Sequence, residues 1–365
     1  MSEVVSIAVM GDCFPNGRFF SRGRPISPSF DVTLAVMREP DIRFANFEMP
    51  LTNRGTPLEK LAAIRADPDI AADVKELQFD VLSLANNHAF DYGIDGLLDT
   101  MTALDGAGAR TIGAGAALGD ATKPCVVDVN DIRVGFVAFS CLVAAGAAAS
   151  AERGGVAPIH VSSGYEINPY WAAEEPGEPM MVTIRTRADA DDQALAEQVI
   201  HRARAEVDVL CVSVHWGYGS SEELAEYQSP LGHALIDAGA DAVLGNHVHA
   251  VQGIEMYRDK PILYSPGTFI GRQVPVDVDA AGDLMRKVLL SMSPDGYLAR
   301  LGFSASGACS LRLVPTSIDS NGLPMVATGE VFERIAARVR DHSSKLGTEL
   351  VVDDGVISPR MREHA

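Results

Sequence analysis

Three apolar runs in this chain each end in an Asn or His cluster: FDVLSLANNH (Phe79 to His88), VDVLCVSVHWG (Val207 to Gly217) and ADAVLGNHVH (Ala240 to His249). Short continuous runs rich in Val and Leu are the pattern of strands buried on both faces, and in open α/β sheets ligands gather just beyond the carboxyl ends of such strands. Asn87, His88, His215, His247 and His249 are therefore expected on one rim. Imidazole nitrogen and amide oxygen are donors for borderline divalent cations, so the rim reads as a metal site and the chain as an enzyme. Taken singly, each histidine suits a hydrogen-bonded structural role, and Asn86 and Asn87 suit the cap of a following helix. The recurrence of potential ligands at one topological position is what favours metal. His160, His201, His233, His342 and His364 lack that setting and read as structural or solvent-facing.

The rest of the chain alternates strands and helices in the manner of repeated β-α units. VVSIAVMGD opens with a strand, a helical stretch around Val32 to Arg38 follows, and DIRFANFE (Asp41 to Glu48) is a second strand. PDIAADVKELQ, with Pro68 suited to a first helical turn, leads into the strand before Asn86, and Asp91 to Gly106 reads as the next helix. TKPCVVDVN and IRVGFVAFS form a hairpin turning at Asn130 and Asp131, and Asp189 to Ala205 is a crossover helix with Leu195, Val199 and Ile200 on one face. A single domain over residues 1–345 with a C-terminal tail at 346–365 is expected.

Thirty basic and 49 acidic side chains leave a net charge of −19. Such a surface repels polyanions, which argues against nucleic acid or an anionic membrane as partner and leaves a peptide or a small ligand held by metal. No run approaches the length of a membrane span and no signal-peptide pattern is present, so a cytoplasmic location is expected. The five cysteines are odd in number, far apart and without a C-x-x-C pair, so they read as reduced core thiols.

Two segments break the β-α rhythm. Ser162 to Pro179 mixes Tyr165, Tyr170 and Trp171 with Pro, Gly and four glutamates, and is either a connector or an insertion that touches substrate. Asn16 to Pro28 holds Arg18, Arg22 and Arg24, which are either solvated or placed to bind a carboxylate or phosphate bidentately. Trp216 is an aromatic wall of the site or part of the core.

Read in order, GD at Gly11–Asp12, NFE at Asn46–Glu48, ANNHAFDYG at Ala85–Gly93, HWG at His215–Gly217, GNHVHAVQGIE at Gly245–Glu255 and KPILYSPGTF at Lys260–Phe269 resemble the CapA family of capsule and poly-γ-glutamate biosynthesis proteins, a branch of the calcineurin-like metallophosphatase superfamily. The resemblance spans residues 5 to 272, and LVPTSIDSNGLPMVATG is similar to the family's end. It implies a metallophosphatase-like α/β fold, a four-layer sandwich of two β-sheets flanked by helices. It also implies one or two divalent ions (Mn, Zn, Fe, Mg or Ca). By position, Asp12 and His249 would bind the first, Glu48 would bridge, and Asn87, His215 and His247 would bind the second. His88 matches the superfamily's proton donor, oriented by Asp91. Phe14 stands where phosphatases commonly carry a His and NFE replaces a second GD, so phosphoester hydrolysis is expected to be poor.

Among soluble relatives the chain resembles the peptide epimerases of lasso-peptide biosynthesis. That resemblance implies inversion of a Cα centre in a precursor peptide, with His88 and one of Asp12, Glu48 or Asp91 moving the proton. The alternatives are a metal-dependent phosphoester hydrolase, a poly-γ-glutamate or capsule biosynthesis protein, and a non-catalytic binding protein.

Overall fold

A computed structural model describes residues 3–219, 221–271, 292–304, 309–353 and 355–360. The fold is α/β. Eight strands run in the order Leu350–Asp353, Val356–Pro359, Cys309–Ile318, Asp295–Ser304, Glu3–Cys13, Ile42–Phe47, Val81–Ser83 and Arg110–Ile112, with Thr268–Ile270 beside Glu3–Cys13 and Pro324–Val326 beside Cys309–Ile318 to make ten. A second sheet orders six strands as Ile254–Tyr257, Lys260–Leu263, Ala242–Asn246, Val209–His215, Ile132–Ser140 and Cys125–Val129.

Side-chain alternation decides how the sheets stack. In Glu3–Cys13, Val5, Ile7 and Val9 face one cluster while Ala8 and Met10 face another, as a period of two requires. The first cluster lies between the sheets, where Phe44 of the larger sheet stacks on Phe136 of the smaller at 5.8 Å and 3°. The second joins the larger sheet to Phe30, Leu34 and Met37 of helix Pro28–Arg38 and to Leu97 and Leu104 of helix Gly93–Gly106. A third packs Val212 and Val214 against Ile200 of helix Ala190–Arg204 and Leu231 and Leu235 of helix Gln228–Asp237. The layers are helix, sheet, sheet, helix, as in a metallophosphatase-like sandwich. Every residue of Val209–His215 is buried, which is why that strand reads as a continuous apolar run.

Local signals act where they stand. Asp189 caps helix Ala190–Arg204 by accepting from the N–H groups of Asp191 and Asp192 at 3.0 and 3.1 Å. Asn130 and Asp131 take left-handed φ of 50° and 63°, closing the hairpin between Cys125–Val129 and Ile132–Ser140.

The boundary expected after residue 345 does not fit this architecture. Leu350–Asp353 and Val356–Pro359 form a hairpin that joins the larger sheet through Leu313 and Ile357, because Leu350 and Ile357 have apolar side chains buried in the core between the sheets. Residues 361–365, including His364, lie outside the described residues. The segment expected as an insertion at 162–179 belongs to a longer exposed hairpin, Val161–Ile167 paired with Val182–Ala188. Its Tyr165, Ile167, Val182 and Ile184 are exposed, while Arg185 reaches Glu226 on the body. Among the described residues, no helix is long and apolar enough to cross a membrane.

Candidate metal centre

Parallel pairing delivers the site. Asp12 pairs in register with Asn46, Asn46 with Ser83, and His215 with Asn246, so the carboxyl ends of these strands open on one rim. The larger sheet supplies Asp12, Glu48, Asn87 and His88, and the smaller supplies His215, His247 and His249. Gly11 lets the Ser265–Thr268 segment come close, since a Cβ there would stand 1.8 Å from the Gly267 carbonyl. The turn after Ala242–Asn246 is strained: His247 and His249 hold φ of 106° and 49°, a conformation that costs on the order of 1–3 kcal/mol per residue and persists only where the surroundings enforce it. Part of that enforcement is the His247 N–H, which donates to Asp12 Oδ2 at 3.1 Å.

Two ligand groups share one carboxylate. Glu48, His215 and His247 bring ligand atoms within 4.8 Å of one another, and so do Asp12, Glu48 and His249. His215 Nε2 lies 2.7 Å from Asn87 Oδ1 and 3.4 Å from Glu48 Oε1, while His249 Nδ1 lies 3.1 Å from Asp12 Oδ2 and its Nε2 3.9 Å from Glu48 Oε2. Donors around an ion with bonds of about 2.0–2.2 Å stand roughly 3 Å apart. Glu48 Oε1 and His247 Nδ1 are buried without a hydrogen-bond partner, an arrangement costing about 1–3 kcal/mol per group unless something binds them. The mixed oxygen and nitrogen donors, the spacing and the two orphaned atoms fit a divalent cation.

Electrostatics points the same way. Burial and the charge of Asp12 push the Glu48 carboxyl up to about 8. Asp12 itself falls to about 2, because the hydrogen bond and charge of His249, the charge of His215 and the Asn46 hydrogen bond together outweigh the upward push of burial. Burial also drives His215 down to about 3 and His247 well below its ordinary range. His249 rises to about 9, since Glu48 and Asp12 more than offset its burial. In the ion-free protein the rim therefore stores protons that a cation would displace.

Beside these groups stands a His–carboxylate pair. His88 Nδ1 is 2.7 Å from Asp91 Oδ2, which also accepts the Ile64 N–H at 2.8 Å, and Lys60 Nζ is 2.5 Å from Asp91 Oδ1. The charges of His88 and Lys60 act on Glu48 and on His215, which places the pair next to the ligand groups. On the other side, a cleft of about 450 Å³ runs from Phe14 and Thr268 along Gly271, Ser293, Ser320 and Asn321. Phe14 packs edge-on against the His249 ring at 5.0 Å, and Thr268 Oγ1 lies 3.4 Å from His249 Nδ1.

Asp12, Glu48, Asn87, His88, Asp91, His215, His247 and His249 thus come together as expected. Arg18, Arg22, Arg24 and Trp216, also expected at the site, have other surroundings. Arg18 is held away by Asp73, whose carboxylate accepts its Nε–H at 2.7 Å and the Phe19 and Phe20 N–H groups. Arg22 and Arg24 are exposed in the small hairpin of Phe20–Ser21 and Arg24–Pro25. Trp216 is wholly buried, stacked on Tyr264 at 5.5 Å and donating its Nε1–H to the Tyr264 carbonyl, so it is a core residue and no wall of the site. Cys13 belongs to the outer core cluster, and burial together with Asp12 holds its thiol well above the usual range. Two residues escaped sequence reasoning, and a third, Asn86, was expected only as a helix cap. Lys60 lies in a loop without periodicity. Asn46 donates to Asp12 Oδ1 at 2.7 Å, and Asn86 donates to Asn46 Oδ1 at 3.1 Å and accepts from the His88 and Ala89 N–H groups. Their signal was position, immediately beside the ligands in NFE and ANNH.

Comparison with known proteins gives the class. Residues 6–273 match the family described as Bacterial capsule synthesis protein PGA_cap, and the chain belongs to that family. It is similar to the PGA biosynthesis protein CapA of Bacillus subtilis (27% identical, 73% of this chain, 63% of the relative) and to the capsule biosynthesis protein CapA of Bacillus anthracis (29%, 85% and 66%). A probable polyglutamine synthesis accessory protein of Mycobacterium tuberculosis is 36% identical over 63% of this chain and 55% of its own length. The chain therefore spans less than two thirds of the length of these relatives.

Proposed function

We propose that this protein is a metal-dependent hydrolase of capsule or poly-γ-glutamate polymer biosynthesis. The observation that carries the reading is Glu48 shared by two adjacent ligand groups, with the His88–Asp91 pair beside them. Asp12, Glu48 and His249 would hold one divalent ion, and Glu48, Asn87, His215 and His247 the other. When bound, such ions polarise the oxygen of a scissile bond and lower the pKa of water. The chain's own residues supply the rest. Asp12 and Asn46 fix the ligand turn, Asp91 takes the Nδ1–H of His88, and the remaining ring nitrogen, Nε2, gives a proton to the departing nitrogen or oxygen. The cleft beside His249 offers room for a chain running past the centre.

Support for the polymer comes from the family description and the names of the relatives. The peptide-epimerase reading has less: Arg18 is paired with Asp73, Arg22 and Arg24 are exposed, and the aromatic hairpin is exposed. Phe14 offers the first ligand group an apolar edge and no donor atom, so slow turnover of phosphoesters is expected.

The test is incubation of Mn- or Zn-loaded protein with poly-γ-glutamate, following chain length and new amino termini, with aryl phosphate and a deuterium-exchange assay on peptides in parallel. Shortened polymer, lost in His88→Ala, supports the proposal. Intact polymer with rapid phosphate release or Cα deuteration overturns it.

A further inference from the structure

Among the described residues, six of the thirteen exposed large apolar side chains belong to one hairpin and its tip: Tyr165, Ile167, Tyr170, Met180, Val182 and Ile184, each 40–76% exposed. The register explains the concentration. Tyr165 pairs with Ile184 and Ile167 with Val182, and residues two apart on a strand share a face, so four of the six form one apolar face. Glu166, Arg185 and Arg187 fall on the other face, where Arg185 meets Glu166 at 2.7 Å and Glu226 on the body at 2.5 Å. The ribbon is thus tethered by its polar side, and its apolar side is left open. It pairs with no third strand among the described residues, and a two-stranded hairpin in water is marginal unless its apolar face is covered.

We infer that this face is the interface of a homodimer, covered by the same face of a second copy. Six side chains of this size and exposure present on the order of 700 Å², close to the roughly 800 Å² that each partner of a stable complex buries. Apolar residues scattered singly over a surface do not make such a patch. The charges suit a copy of the same hairpin packed in the opposite direction. The tip, residues 168–181, carries Glu174, Glu175 and Glu178 and no Lys or Arg, whereas Arg185 and Arg187 lie toward the base. A two-fold axis through the apolar face sets each acidic tip against the basic end of the other hairpin, and the contact closes at two copies. An anionic membrane would instead meet the glutamates with like charge.

The dimer is independent of the reaction at the metal centre and is read without substrate. Sedimentation velocity of the full chain at about 0.15 M salt, where long-range repulsion between acidic copies is screened, should show a monomer–dimer equilibrium with a Kd of micromolar order or tighter. Tyr165→Ser combined with Ile184→Ser changes two exposed positions, so the circular dichroism spectrum and divalent-metal content should match the wild type while Kd rises about 100-fold. Glu174→Lys, Glu175→Lys and Glu178→Lys together should weaken the dimer about tenfold, and adding Arg187→Glu should recover part of that loss. A wild type that stays monomeric at about 100 μM overturns the inference. Flotation of that monomer with phosphatidylcholine vesicles, lost in the Tyr165→Ser, Ile184→Ser variant, would assign the face to a lipid surface instead. A dimer that the two Ser substitutions leave unchanged also overturns the inference, because its interface then lies elsewhere. Charge reversal at the tip with no effect on Kd overturns the opposed packing of tip and base.

Discussion

The Asp12 carboxylate accepts the backbone N–H of His247 at 3.1 Å, joining the end of a strand in the ten-stranded sheet to the turn after a strand in the six-stranded sheet. One side chain thus ties the two sheets together, restrains a left-handed His247 and faces His249. The geometry of the candidate metal centre and the packing of the sheets share this contact.

Asp12→Ala should therefore lower stability even in chelator. It leaves the His247 N–H buried and unsatisfied, at a cost of about 1–3 kcal/mol, whereas Asp12→Asn keeps an acceptor and should retain more stability while still weakening metal binding. Thermal unfolding of both variants in excess chelator checks the order. Equal stability of wild type and Asp12→Ala would show that the contact carries nothing.

Proton storage at the rim gives a signed pH dependence. Glu48 rises from 4.5 to about 8 and His249 from 6.5 to about 9 on folding, so each stabilises the folded state below its ordinary value and loses that contribution as pH climbs through the folded one. His215 and His247, driven down, act only below their ordinary value of 6.5. Ion-free protein should consequently lose stability from pH 6.5 to 9, while affinity for a divalent ion rises over the same window because the ion displaces the two protons. Unfolding midpoints in chelator and metal titrations at fixed ionic strength test both halves, and a flat profile in either contradicts the assignment.

Much of this architecture was legible in the sequence, for physical reasons. The continuous burial of Val209–His215 and Ala242–Asn246 in a sheet covered on both faces writes an unbroken apolar run, and parallel strands put their termini on one rim. What the sequence hid depends on three-dimensional neighbours. Trp216 follows the candidate ligand His215, yet its ring turns into the core, where the Tyr264 carbonyl accepts its N–H. Arg18 is close to Asp12 in sequence but meets Asp73 first. Lys60 reaches the site from an irregular loop, where no period announces which side chain turns inward. The hairpin at Leu350–Pro359 was missed because two short polar-edged strands at the rim of a sheet resemble a tail until their partner, Cys309–Ile318, is known.

Gly245 separates packing from chemistry. A Cβ there would stand 2.1 Å from the Tyr264 carbonyl oxygen and 2.4 Å from Trp216 Nε1. Gly245→Ala should cost about 3 kcal/mol, the upper range for overpacking, and Trp216→Ala a similar amount through its cavity. Denaturant unfolding checks this, and either variant matching wild type would contradict the packing described.

An anionic polymer approaching a protein with a net charge of −19 meets long-range repulsion, which salt screens. KM for poly-γ-glutamate should fall several-fold as ionic strength rises from about 0.01 to about 0.15 M, with kcat little changed. Steady-state kinetics across that range decides, and a KM that rises with salt would show that a local positive surface, and not the net charge, governs the approach of the polymer.

The shared position of Glu48 is the central claim, and metal stoichiometry tests it most directly. Calorimetric titration of chelator-stripped protein with Mn or Zn should find two ions per chain in the wild type. Asp12→Ala and His247→Ala should each bind one, and Glu48→Gln should weaken both sites together. A wild type that binds no ion, or a His247→Ala variant that binds as the wild type does, would contradict the account.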